Sequence, residues 1–402
     1  MNATLSRRAR RALALLAAIG FCVANSVNAL RKGGDFQAFL VAGRRMMAGT
    51  PLYTGSSVGE GVTWPPFLGL FFVPFAALDA SSAVAARLAW YLFGLVCLAG
   101  GVRFWARSCS QGRAERLEVS SAAVFLPLLC VFFPLQTNFE HQNLNPLLLL
   151  LLGAATLAIA RRRAALGGVL VGTATALKAF PALLIVYLVH RRIWAAAAAA
   201  AGTAATLTLL PILRYGREAY VRQLEMWWQI SNGGWPTRGS NQSLFAAVDR
   251  LVTGFAEPHD MASGNPVTAI VAAALALALL ATFVVATWRA RSRADDVPRE
   301  LAMITLLAVL LSPIAWEHYW VLLFPAFFVA YAETALRPRL RAVLWTAAVL
   351  TSVLTPMTLG RRVFDEVRER SPMTAAALMV FGVTAGTTKR TTPSQDLSPD
   401  AS

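Results

Sequence analysis

Charge is scarce in this chain. Only 14% of its 402 residues are Asp, Glu, Lys or Arg, 56% are hydrophobic, and the mean hydropathy is +0.54. A soluble globular chain carries roughly a quarter of its residues as charges, so a soluble fold is excluded. Lysine is scarcer still: Lys32, Lys178 and Lys389 stand against 34 arginines. The four cysteines, Cys22, Cys97, Cys109 and Cys130, have no paired spacing, which removes a disulfide framework and a metal knuckle and leaves them as helix-packing residues. No Walker A segment, no G-x-G-x-x-G after a strand and no D-x-D occurs, so cytosolic nucleotide chemistry has no support. H-E-x-x-H is also missing, and with it the usual spacing of a zinc site. An internal repeat is missing too, which argues against an inverted-repeat transporter.

What is present is a series of apolar runs: Leu13–Leu30, Ala83–Gly101, Trp194–Leu213, Val267–Trp288 and Val343–Leu354. Each approaches the roughly 20 residues that cross about 30 Å of hydrocarbon, where a single chain spans only as helix or closed barrel. The expected class is an all-α, polytopic transmembrane protein with about 11–13 spans. One membrane domain is expected over 1–386, with outer loops at 31–64 and 214–264 and a disordered tail at 387–402. The net charge of +16 is divided among short clusters between the runs, at Arg7–Arg11, Arg103–Arg116, Arg161–Arg163, Arg191–Arg192, Arg289–Arg293 and Arg337–Arg341. That is the positive-inside pattern of cytoplasmic loops rather than a nucleic-acid-binding face. The first 30 residues look like a signal peptide, but further spans follow, so an uncleaved first helix is expected. Pro66–Leu78 is too short to cross and is expected to insert partly. The segment 361–370 puts Arg361, Arg362, Arg368 and Arg370 on the outer face, against the arginine rule.

With sidedness set this way, the unusual polar residues collect at the outer membrane ends. Asp35 is the sole carboxylate before Glu60 and follows the first span. It is a candidate base, or alternatively the cap of a helix starting at Phe36. Lys178 interrupts an apolar segment, where an unpartnered lysine costs roughly 2.5–3.5 kcal/mol. It is a candidate cation for a lipid phosphate, or a snorkelling residue. Glu317-His318 and Glu140-His141 use two of the four histidines. Gln142, Asn143, Asn241 and Gln242 add amides, Arg44 and Arg45 add cations, and Tyr53 and Trp64 add rings suited to stacking on sugars. Gly168 and Gly172 form a small-xxx-small pair, expected to pack helices.

An ordered set of short motifs resembles glycosyltransferase family 87. It comprises D-F-x-x-F at Asp35, A-G-T-P-L-Y at Ala48–Tyr53, W-P-P at Trp64–Pro66, H-Q-N-L-N at His141–Asn145, A-L-K-A-F-P at Ala176–Pro181, G-S-N-Q-S-L at Gly239–Leu244 and S-P-I-A-W-E-H-Y at Ser312–Tyr319. The resemblance implies a GT-C fold with an active site open to the extracytoplasmic side of a bacterial plasma membrane. It also implies transfer of mannose from a polyprenyl-phosphate donor to a glycolipid or cell-envelope glycan. Asp35 matches the acidic base of the first outer loop, and His318 matches the histidine after the S-P-x-x-W turn. Lys178, Glu317, His141, Gln142, Asn143, Asn241, Gln242, Arg44, Arg45, Tyr53 and Trp64 are the expected substrate contacts. Departures from the family pattern are Glu140-His141 in place of glycine and Trp64 in place of tyrosine. No cofactor is expected beyond the donor lipid, a divalent metal requirement is open, and nucleic acid is not a partner. The competing readings are a lipid-linked glycan polymerase or ligase, and a lipid or sugar flippase.

Overall fold

The computed structural model describes residues 20–27, 33–54, 62–109, 122–232, 234–254, 263–288, 296–334 and 337–386. The basic clusters Arg7–Arg11 and Arg289–Arg293 and the tail 387–402 lie outside the described residues, as do most of the first expected span and part of Arg103–Arg116. Among the described residues the chain is helical, with one isolated antiparallel bridge, Asn241 to Trp316, and no strand.

Three described helices are long and apolar enough to cross a bilayer unaided: Ala83–Cys109, Trp194–Tyr215 and Pro266–Trp288. Their outward faces carry large apolar side chains such as Leu88, Leu92, Val96, Ile270, Leu277 and Val285, all exposed. A soluble protein would bury such residues, whereas lipid covers them at no cost. The remaining expected spans are shorter or broken. Residues 122–141 form two helices, Ala122–Leu129 and Phe132–His141, with a break at Cys130, and Pro127 lies inside the first. Residues 317–334 open as a 3-10 helix, Glu317–Leu323, before the α-helix Phe324–Thr334. Pro66–Leu78 becomes two helices, Phe67–Phe71 and Val73–Ser81, of 5 and 9 residues. At 1.5 Å per residue neither can cross, and both pack on the first-loop helix Gly34–Ala48.

The centre of the bundle is the continuous stretch 297–330. Every residue of Val297–Leu310 is buried, and Trp320, Phe324, Phe327 and Phe328 continue the core. Helices pack around this spine by close backbone approach. Gly168 and Gly172 on Ala164–Leu177 meet the backbone of Ala196 and Ala200 on Trp194–Leu209, so closely that a Cβ at either glycine would collide with a carbonyl oxygen. That is the small-residue contact expected of the pair.

Two segments assigned separately to the outer side, 214–264 and 361–370, meet in the fold. Gln242 Nε2 donates to Arg368 O at 2.8 Å, and Gly239 N to Glu369 Oε1 at 2.8 Å. The helix Arg361–Glu369 buries Phe364 alone, edge-on to Phe133 at 5.5 Å, and leaves its arginine face open. Its arginines therefore lie at the same end of the bundle as Gly239 and Gln242.

Candidate active site

The first-loop helix begins at Gly34, two residues earlier than a cap at Asp35 would allow, and no side chain caps it. Gly34 has φ +47°, and a Cβ there would sit 2.5 Å from His141 O. Only glycine accepts both that conformation and that approach. The result is a tight seat that holds the next residue, Asp35, against the turn after Phe132–His141. In that turn Gln142 is left-handed at φ 50° and Asn143 N bonds back to Asn138 O. Asn143 Nδ2 then donates to Asp35 Oδ2 at 2.6 Å, while Asp35 Oδ1 has no hydrogen-bond partner among the described residues.

On the other side of Asn143 lies Lys178, which ends the helix Ala164–Leu177 in an extended conformation. Its ammonium is enclosed, with Nζ 3.4 Å from Asn143 Oδ1, 3.0 Å from Asn145 Oδ1 and 3.2 Å from the centroid of the Tyr319 ring. Two neutral amides and an aromatic face thus hold the cation, and Asn143 stands between it and Asp35. The arrangement keeps a positive charge in a dry place without cancelling it against a carboxylate.

His318 completes the group from the 3-10 turn. Its Nε2 is 3.4 Å from Asp35 Oδ2 but lacks the alignment of a hydrogen bond. The His318 ring lies 5.2 Å from the His141 ring, and its carbonyl accepts from Asn145 Nδ2 at 2.8 Å. Asn145 also donates to Asn138 Oδ1 at 3.0 Å, so one amide links Lys178, His318 and Asn138. Next to His318, Glu317 is buried and points elsewhere, toward the charges of Arg368 and Asp365. Burial pushes its carboxyl up to about 7, opposed by Arg368.

Asp35, His141, Asn143, Lys178 and His318 therefore come together. Other expected contacts are engaged in holding loops. Asn241 donates to Pro236 O and Pro313 O and accepts from Ser243 N and Ala315 N. Gln242 donates to Gly239 O and Arg368 O and accepts from Met373 N. Arg44 pairs with Asp79 at 2.8 Å, Arg45 donates to Leu52 O, and Tyr53 donates to Trp64 O. Asn138, Asn145 and Tyr319 were not singled out from the sequence. Asn145 could have been, since it opens a helix with Pro146 and six leucines behind it, where a side-chain amide is expensive without partners.

A cleft of about 140 Å³ opens beside Lys178. Trp64, Phe180, Trp227, Trp235 and Tyr319 line it, with Thr63, Ser231 and Ser312 between them. Among the described residues no cluster of three His, Cys, Asp or Glu is placed to hold a metal.

A lipid-facing helical bundle with a carboxylate, an uncancelled ammonium and an imidazole grouped at one end, next to an aromatic cleft, is an integral-membrane enzyme. The chain belongs to glycosyltransferase family 87, whose profile matches residues 63–313. Lys178 and Asn143 fall inside that stretch, and Asp35 and His318 flank it. It is 32% identical over 301 residues to a polyprenol-phosphate-mannose-dependent alpha-(1-2)-phosphatidylinositol pentamannoside mannosyltransferase of Mycobacterium tuberculosis (strain CDC 1551 / Oshkosh), covering 74% of this chain and 65% of the relative. It is 28% identical over 355 residues to a polyprenol-phosphate-mannose-dependent alpha-(1-2)-phosphatidylinositol mannoside mannosyltransferase of Mycolicibacterium smegmatis (strain ATCC 700084 / mc(2)155), covering 81% of this chain and 76% of the relative. The chain thus spans just under two thirds of the first relative's length. No solved structure matches it.

Proposed function

We propose that the chain transfers mannose from a polyprenyl-phosphate donor to a mannoside glycolipid of the phosphatidylinositol mannoside type, on the extracytoplasmic side of the cell membrane and with inversion at the anomeric carbon. The observation that carries this reading is the pairing of Asp35, open on Oδ1, with Lys178, whose charge only neutral groups contact. The leaving group is already an anionic phosphate, so the reaction needs no general acid of the kind a glycosidase uses. It needs a base for the acceptor hydroxyl and a cation for the phosphate.

In this reading the acceptor oxygen attacks C1 as its proton passes to Asp35, and the C1–O bond to phosphate breaks. Polyprenyl phosphate leaves toward Lys178. His318 sits against the carboxylate edge and holds its orientation. A single displacement converts a β-linked donor into an α-linked product, the anomeric configuration in the relatives' names. Asn241, Gln242, Arg45 and Tyr53 serve by fixing the loops that carry Trp64 and His318, and Arg44 by pairing with the helix Val73–Ser81. The contact between 239–250 and 361–370 supports one outer face for all these loops, and the arginine turns support its being extracytoplasmic.

The test is a transfer assay on membranes containing the full chain, with labelled polyprenyl-phosphate mannose and a phosphatidylinositol mannoside acceptor. An α-mannosylated product is expected. Movement of intact donor without cleavage would establish a flippase, and use of only a pyrophosphate-linked donor would establish a ligase or polymerase.

A further inference from the structure

The transfer step requires a base and a cation, and neither requires three tryptophans. Each tryptophan of the cleft is fixed in place. Trp227 Nε1 donates to Thr63 O at 3.2 Å, Trp235 Nε1 donates to Ser231 O at 2.8 Å, and Trp64 meets Phe39 edge-on with centroids 4.7 Å apart. With the N–H groups of Trp227 and Trp235 committed to backbone carbonyls, ring surface is what these side chains have left for a ligand. Rigid aromatic surface interleaved with the hydroxyls of Thr63, Ser231 and Ser312 suits a pyranose, which has C–H faces and a rim of hydroxyls.

An isoprenoid chain would also accept aromatic walls, but the wall here stands in the wrong medium for it. The helix Arg217–Asn232, which supplies Trp227 and Ser231, leaves Arg217, Glu218, Arg222 and Glu225 exposed. Charges at that density place the helix in water or headgroups rather than hydrocarbon. Lys178 lines the same cleft and Asn143 links it to Asp35, so a ring bound there lies against Lys178, one amide away from the carboxylate.

We propose that this cleft is the acceptor subsite, where a mannopyranose ring of the acceptor glycan stacks on Trp227 and Trp235 and presents its hydroxyl to Asp35. The proposal rests on the mannosyl-transfer reading and adds to it the place and the means of acceptor recognition.

Two measurements test it on the detergent-purified full chain. The first is binding of methyl α-mannoside in the absence of donor, followed by saturation-transfer NMR. Trp227→Ala and Trp235→Ala weaken it about tenfold each, and Trp227→Phe retains most of it. The second is the transfer assay with the two substrates varied separately. The alanine variants raise the acceptor KM about tenfold and leave the donor KM unchanged. A rise in donor KM instead would put the prenyl chain in the cleft and overturn the proposal, as would no change in either KM for variants that melt like the wild type. Mannoside binding without any transfer from the polyprenyl-phosphate donor sinks the mannosyl-transfer reading and keeps the cleft. Transfer that ignores both tryptophans does the reverse.

Discussion

Buried charge occurs at both ends of the bundle, and the two clusters are finished differently. Two helices, Ala182–His190 and Val297–Leu310, run between them. At the arginine-turn end, Glu300 is fully enclosed and its Oε2 takes the Arg191 guanidinium at 2.9 Å and the Tyr187 hydroxyl at 2.8 Å. Arg299 donates to Thr384 O at 3.2 Å. Opposite charges there neutralise each other in place and tie three helices together. At the other end, Lys178 and His318 are buried just as deeply, yet the carboxylate beside them stays 28% exposed and an amide separates it from the ammonium. Charges cancelled in place stabilise a fold only when intact. Charges held apart by amides and ring faces remain available to a ligand.

The largest effect expected from this contrast is at Asp35. Asp35→Asn keeps the shape and the bond to Asn143 can rearrange, so thermal melting in detergent is unchanged while kcat falls about 10²–10⁴-fold. Full activity in that variant removes the base role. Arg191→Met should do the opposite. It leaves Glu300 as an unpaired buried carboxylate and costs about 3–5 kcal/mol, read as a large drop in melting temperature, while the activity per folded molecule is kept. The double change Arg191→Met with Glu300→Gln restores much of the stability. If Arg191→Met alone melts like the wild type, the arginine-turn cluster is not a structural lock.

Some of this was legible before the fold was known. Lys178 is conspicuous because an apolar segment tolerates a lysine only with partners, and Asp35 because its loop has no other carboxylate near it. The long runs at 83–101, 194–213 and 267–288 became crossing helices because hydropathy is additive along a helix that nothing interrupts. The breaks at Phe72 and Cys130 escape hydropathy, which counts apolar residues, but Pro74 and Pro134 just beyond them mark where the backbone ladder loses a donor. The roles of Asn241 and Gln242 were not legible. Whether an amide meets substrate or a carbonyl from 313 or 368 depends on contacts tens of residues apart. Asn145 was legible as an expensive amide ahead of six leucines, but its partner was not: the bond to His318 spans 173 positions.

Glu317 offers a smaller test, of how separate it is from the Asp35 cluster. Burial raises its carboxyl from 4.5 to about 7. Between those values the folded chain holds a proton that the unfolded chain has lost, so stability falls as pH rises through that window, by up to ~3 kcal/mol. Glu317→Gln should flatten that fall between pH 5 and pH 8, as read by melting temperature in detergent. An unchanged slope would mean that Glu317 is ionised and paired across the whole range.

The finest discrimination between the two ends comes from Lys178→Met, set against Arg191→Met. Both replace a buried cation by an apolar chain of similar length. Arg191 leaves a carboxylate behind, whereas Lys178 leaves two neutral amide oxygens, Asn143 Oδ1 and Asn145 Oδ1, without their donor, while the amide nitrogens keep their bonds to Asp35, Asn138 and the His318 carbonyl. Orphaned neutral oxygens cost less than an orphaned carboxylate, and the desolvated ammonium is gone, so stability should fall by much less than in Arg191→Met. The loss appears in donor binding, with the donor KM up about tenfold for one missing charge-assisted hydrogen bond and the acceptor KM unchanged. Lys178→Arg recovers only part of it, because the longer and wider guanidinium must fit an enclosed place sized to an ammonium between Asn143 Oδ1 and Asn145 Oδ1. If Lys178→Met destabilises the protein as Arg191→Met does and leaves the donor KM alone, both clusters are structural and the phosphate must find its cation elsewhere.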